Sequence, residues 1–218
     1  MRELFHDQLE SIFDDLAAIC SQVEEAVSSA TEALLTGNAE IAERVISADV
    51  VIDQARVRVE DTAFSLLSLQ APVAGDLRVV VAALRMVTEL ERMGDLSVHV
   101  AKIARLRVPN IAVPEEIRPT VSRMAEVAED MVKAVHQVIT TRDVNAALEV
   151  RKDDEEMDQL RRQSFTELLS DSWSHGVEAA VDVALLGRYY ERIADHAVSV
   201  ASRVVFVVTG EYPQVLRA

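Results

Sequence analysis

Cysteine, aromatic residues, glycine and proline are all scarce in this chain, and each scarcity removes a class of protein. Cys20 is the only cysteine among 218 residues, which excludes an internal disulfide and a thiolate zinc cluster within one chain and fits a reducing compartment. Aromatics make up 4% of the residues, with six Gly and five Pro, so the core has to be assembled from Ala, Val, Leu and Ile. That composition favours helices over sheets.

Positive charge is also short, with 22 Lys and Arg against 37 Asp and Glu and a formal net charge of −15. Such an excess repels phosphate backbones and anionic lipid headgroups, so no nucleic acid is expected as a partner and membrane contact is expected only through partners. It suits cations or basic protein surfaces, and it serves solubility equally well. No long apolar run is present: Arg2, Glu3 and Asp7 occupy the start, and Val198 to Val208 is interrupted by Arg203. A cytoplasmic protein is expected. A Gly-rich phosphate loop, a Ser-His-Asp arrangement and a CxxC element are missing too, so enzymatic activity is not expected.

What is present is helical periodicity. Leu9, Ile12, Phe13, Leu16, Ile19, Val23, Val27, Ala30 and Leu34 recur at steps of three and four, giving a long amphipathic helix from about Leu4 to Leu35. Gly37-Asn38 stops it, and a second helix runs from Ile41 to about Leu69. The segment Ala71-Pro72-Val73-Ala74-Gly75 breaks the pattern, and Asp76 is placed to cap a third helix reaching about Val108. Pro109, Pro114 and Pro119 then mark the boundary between halves. Three further helices are expected over Thr120 to Thr141, Asn145 to Ser170 and Val177 to Thr209.

The second half repeats the first. A shift of 105 aligns Val27 with Val132, Val45 with Val150, Asp49 with Asp154 and Asp53-Gln54 with Asp158-Gln159; in the third helix a shift of 100 aligns Glu91-Arg92 with Glu191-Arg192 and Asp95 with Asp195. The expected fold is therefore all-α: two tandem, internally duplicated antiparallel three-helix bundles, with domains over 1–110 and 115–212.

Each half carries two acidic pairs at i, i+4 spacing: Asp49 with Asp53 and Glu91 with Asp95, then Asp154 with Asp158 and Glu191 with Asp195. This spacing puts both carboxylates on one side of a helix, about a turn apart, so two packed helices present four. Chance placement of this many acids gives roughly six such pairs along the chain. Recurrence at matched positions distinguishes these, as does the interruption of apolar stripes by Glu91 and Glu191. A partly buried carboxylate needs a basic partner or a metal ion. Arg92 and Arg192, each three residues before an Asp, supply the competing ion-pair reading. An all-oxygen site favours Mg²⁺, Mn²⁺ or iron. In Lys152-Asp153-Asp154-Glu155 the neighbours Asp153 and Glu155 are alternatives to Asp154. His99 and His196 read as structural, and Met86, Met93, Met124, Met131 and Met157 as core.

These residues resemble the PhoU family, regulators associated with bacterial phosphate uptake. The likeness lies in Ala71-Pro72-Val73-Ala74-Gly75-Asp76-Leu77-Arg78, in Leu90-Glu91-Arg92-Met93-Gly94-Asp95 and in the second copy Glu191-Arg192-Ile193-Ala194-Asp195-His196-Ala197, and it spans nearly the whole chain. It implies two three-helix bundles whose paired motifs hold metal clusters, here Asp49, Asp53, Glu91, Asp95, Asp154, Asp158, Glu191 and Asp195. It further implies a homodimeric cytoplasmic adaptor that represses the phosphate-starvation response, contacting a sensor histidine kinase and the ATPase of the phosphate ABC transporter. Two other readings stand beside it. One is a ferritin-like carboxylate-bridged metalloenzyme, for which the one Glu-x-x-His spacing is Glu3 with His6; the other is a plain helical scaffold.

Overall fold

The computed structural model describes residues 2–213, with side chains from Asp7 onward, and among them it contains six helices and no strand. They are α1 (Arg2–Thr36), α2 (Ala39–Gln70), α3 (Ala74–Arg107), α4 (Arg118–Thr141), α5 (Val144–Leu168) and α6 (Gly176–Thr209). The all-helical expectation holds. The side chains of Glu3 and His6 lie outside the described residues.

Local chemistry fixes most boundaries. Gly37 adopts φ +66°, a left-handed conformation that costs an L side chain energy, and Asn38 then accepts hydrogen bonds from the Glu40 and Ile41 amides to cap α2. Asp143 caps α5 in the same way, accepting from the Asn145 and Ala146 amides. Asp76 does not cap α3: the cap position is Val73, whose carbonyl accepts the Asp76 amide, and Asp76 sits inside the first turn as a favourable acid near the positive end of the helix. Likewise Pro119 lies in the first turn of α4, where its missing N–H is no loss.

Helices α1, α2 and α3 pack on one another, as do α4, α5 and α6. The two bundles join through α1 on α4 and α3 on α6, so α2 and α5 each touch only their own bundle and lie outermost. Both joining pairs run antiparallel: Glu10 meets Arg142 and Cys20 meets the Val132 carbonyl, while Glu89 meets His196 and Arg107 meets Asp182. One apolar core runs through both halves. Leu16, Cys20, Leu90, Met93, Met124 and Met131 are all fully buried, and each large apolar side chain so placed contributes about 1.5–3 kcal/mol. The five methionines are core, as their spacing indicates.

Polar contacts lock the junction. Arg107 donates Nε to Asp182 Oδ2 at 2.5 Å and Nη2 to Oδ1 at 3.1 Å, and Asp182 is buried. Thr31 and Tyr190 share a hydrogen bond of 3.0 Å in the interior. His196 pairs with Glu89 at 2.7 Å and Arg203 reaches the same carboxylate at 3.2 Å, so His196 serves the joint between bundles. His99 is exposed and stacks on Tyr189.

Candidate metal centre

In the first bundle the i, i+4 spacing sets Asp49 and Asp53 on α2 and Glu91 and Asp95 on α3 beside the interface of these two helices, with Asp49, Glu91 and Asp95 part-buried and Asp53 exposed. Gly94 sets the approach: a Cβ there would lie 3.0 Å from Ile52 Cδ1 and 3.7 Å from Asp49 Oδ1. Burial pushes the Asp49 carboxyl above its usual value, and the charges of Asp95 and Asp53 push it further. Burial likewise raises Glu91, with Asp95 and Asp53 adding to it and Arg92 and Arg56 opposing. Mutual repulsion of this kind places all four acids in one electrostatic cluster. Asp49 has no ion-pair partner among the described residues. Arg92 does bridge Asp95, at 3.0 Å, and stands 3.6 Å from Glu91.

The second bundle repeats the cluster on α5 and α6. Burial lifts Asp154 to about 6, reinforced by Asp195 and Asp158 and opposed by Arg151. Asp195 is raised by burial and by Glu191, against Arg188 and His196. Among the alternatives, Asp153 is exposed, and burial apart, the charges that raise it are Glu156, Asp130 and Glu149 rather than the acids of α6. Asp154 rather than Asp153 is therefore the residue that joins Asp158 on α5 in the cluster with Glu191 and Asp195.

Arginines treat the two clusters differently. Glu191, 7% exposed, accepts from Arg161 Nη1 at 2.6 Å on one oxygen and from Arg188 on the other. Arg192, which spacing pairs with Asp195, is exposed and makes no ion pair among the described residues, and the ion pairs of Glu191 are with Arg161 and Arg188. In the first bundle the repeat counterpart of Arg161 is Arg56, which turns to Glu60 at 3.2 Å. The counterpart of Glu60 is Phe165, over whose ring the Arg161 guanidinium sits at 5.6 Å, and the counterpart of Arg188 is Thr88. Substitution of an acid by an aromatic thus frees Arg161 for Glu191. The i, i+3 spacing of Arg188 and Glu191 is readable in the sequence; the contribution of Arg161 from a neighbouring helix is not.

As the side chains stand, no three acidic, imidazole or thiol groups among the described residues converge on one point. The donor chemistry nonetheless fits a hard cation: oxygen ligands only, on rigid helices, with negative charge that protein cations leave under-neutralised at Asp49, Glu91, Asp154 and Asp195.

Comparison with known proteins agrees with this architecture. The PhoU domain matches twice, over residues 16–104 and 121–204. The phosphate-specific transport system accessory protein PhoU homolog 2 of Mycobacterium tuberculosis is 46% identical over 213 residues, covering 98% of this chain and 100% of that one. PhoU homolog 1 of Mycobacterium leprae is 45% identical over 214 residues, covering 98% and 96%. The crystal structure of the phosphate transport system regulatory protein PhoU from Streptococcus pneumoniae superposes with a TM-score of 0.86 at 26% identity, covering 97% of this chain and all of that one. PhoU from Pseudomonas aeruginosa gives 0.85 at 26% identity, covering 95% and 100%.

Proposed function

The chain belongs to the PhoU family, and from that premise we propose that it is a metal-binding cytoplasmic regulator linking a phosphate ABC transporter to a sensor histidine kinase. Regulation of phosphate transport is the coarser statement that membership supports. The finer reading is that it acts as a homodimer, binds the transporter ATPase and represses the phosphate-starvation response of the kinase.

One observation carries the metal part of this reading: in each bundle two packed helices contribute two acids each, and the charges of neighbouring acids, with burial, push Asp49 and Glu91 in the first and Asp154 and Asp195 in the second above their usual values. A cation held by Asp49, Asp53, Glu91 and Asp95, or by Asp154, Asp158, Glu191 and Asp195, would neutralise that repulsion and tie α2 to α3 or α5 to α6. Asp53 and Asp158 are exposed, and such a cation would draw them toward the helix interface. Since α2 and α5 are the outermost helices, such a tie fixes the surface that a partner meets. The chain's own residues bind and orient; no reaction is assigned to them.

The test is a pull-down of transporter ATPase and sensor kinase by this protein, with Mn²⁺ and after chelation. Capture of both partners, weakened by chelation, supports the reading. Failure to capture either one in the presence of metal contradicts the linkage.

A further inference from the structure

Between α1, α2 and α3 lies a cleft of about 640 Å³, with Gln22, Ala26, Asp49, Ile52 and Gly94 among its walls. This falls within the range of small-molecule sites, roughly 300–1,000 Å³. The cleft exists because of residue size. At the repeat-equivalent positions the second bundle has Met131 for Ala26, Met157 for Ile52, Val127 for Gln22 and Ala194 for Gly94, and both methionines are fully buried. The fold accommodates a filled wall in one half and leaves it open in the other.

The walls carry the carboxylates Glu25 and Asp49, the Gln22 amide and the Ser29 and Ser47 hydroxyls, which donate or accept. Gln22 Oε1 is buried and finds no donor among the described residues. Asp49 borders the cleft without an ion-pair partner, and Glu25 adds a second carboxylate against the single exposed cation Arg44. A buried acceptor without a donor costs free energy, as does a part-buried carboxylate whose burial and acidic neighbours outweigh the attraction of Lys102 and His99, and a donating cation recovers both.

We propose that this cleft is a binding site for an aliphatic ammonium group, its apolar stem against Ala26, Ile52 and Val98 and its N–H donors toward Asp49 and Gln22. The site shares Asp49 with the acidic cluster, while the rest of the cleft wall and the acceptor at Gln22 lie outside it, so the proposal needs no bound metal and is tested on metal-free protein.

The experiment measures Tm of chelator-treated full-length protein against n-hexylamine, n-hexanol and hexanoate at pH 7. Hexylamine is expected to raise Tm saturably, by about 3–5 °C at ten times its dissociation constant, and more than the other two. Ala26→Met, which installs the residue of the other half, is expected to abolish the shift. Asp49→Asn is expected to reduce the hexylamine shift to that of hexanol, and it tests the cation preference independently of whether Ala26→Met folds. No shift with hexylamine, an equal shift with hexanol, or a shift that survives in a folded Ala26→Met protein overturns the proposal.

Discussion

Arg161 on α5 donates to Glu191 on α6 at 2.6 Å. Its counterpart Arg56 leaves Glu91 for Glu60, so the two acidic clusters differ in what a cation has to displace. In the second bundle it competes with two guanidinium groups already on Glu191; in the first it competes with Arg92 alone, on Asp95 and Glu91. The first cluster is therefore expected to fill before the second. Titration of metal-free protein with Mn²⁺ in a calorimeter should show two classes of site, and Arg161→Gln should narrow the gap between them.

Glu191 is nearly buried, and Glu191→Ala strands two arginines as well as removing a carboxylate. The expected loss of stability is about 1–3 kcal/mol, read from urea denaturation. Glu91→Ala, which relieves repulsion and loses the Arg92 contact and the more distant attraction of Arg56, should cost less than half of that.

Metal-free protein should become more stable as pH falls from about 7 to 4. The sign follows from linkage: Asp154, lifted to about 6 from a usual 3.8, binds its proton more tightly folded than unfolded, so repulsion present above pH 6 is relieved through that window. Asp49, Glu91 and Asp195 are raised and act in the same direction. Glu89, held low chiefly by its hydrogen bond to His196, acts oppositely, and only as pH falls through and below the usual glutamate value of 4.5. Tm at pH 5 should exceed Tm at pH 7.5, and Asp154→Asn should shrink that difference.

The joint between bundles should depend on Arg107. Its fork holds Asp182, a buried carboxylate, and Arg107→Ala leaves that charge unpaired. Tm should fall by roughly 5 °C or more, and Asp182→Leu in the same chain should recover part of it.

Cys20 reports on opening of the α1 and α4 pair. Burial, with Glu24 adding to it, pushes its thiol up to about 12, so almost no thiolate exists at pH 8. Reaction with a thiol reagent should proceed at the rate of local unfolding and become immediate in denaturant.

The helices were legible because apolar spacing survives as burial: Leu16, Val23, Met86 and Met124 all lie where a 3.6-residue period puts them. The repeat was legible because Asp49, Asp53, Glu91 and Asp95 recur at fixed shifts. The sequence points to Asp76 as a cap because Pro72 and Gly75 suggest a later start than the one the backbone takes at Ala74. The role of Arg161 is illegible for a different reason: it reaches Glu191 from another helix, and pairing across an interface leaves no trace in local spacing. The same holds for Arg107 with Asp182, which are 75 residues apart. The cleft at Ala26 was also hidden, since a missing side-chain volume is visible only once the two bundles are laid over one another.

The most direct measurement is elemental analysis after equilibration with Mn²⁺ and desalting, on wild type and on the double variant Glu91→Ala with Asp95→Ala. The wild type should retain metal, and the variant should lose the share of the first bundle while its circular dichroism stays helical. Equal metal in both proteins, or none in the wild type, would contradict the assignment of these carboxylates as a cation site.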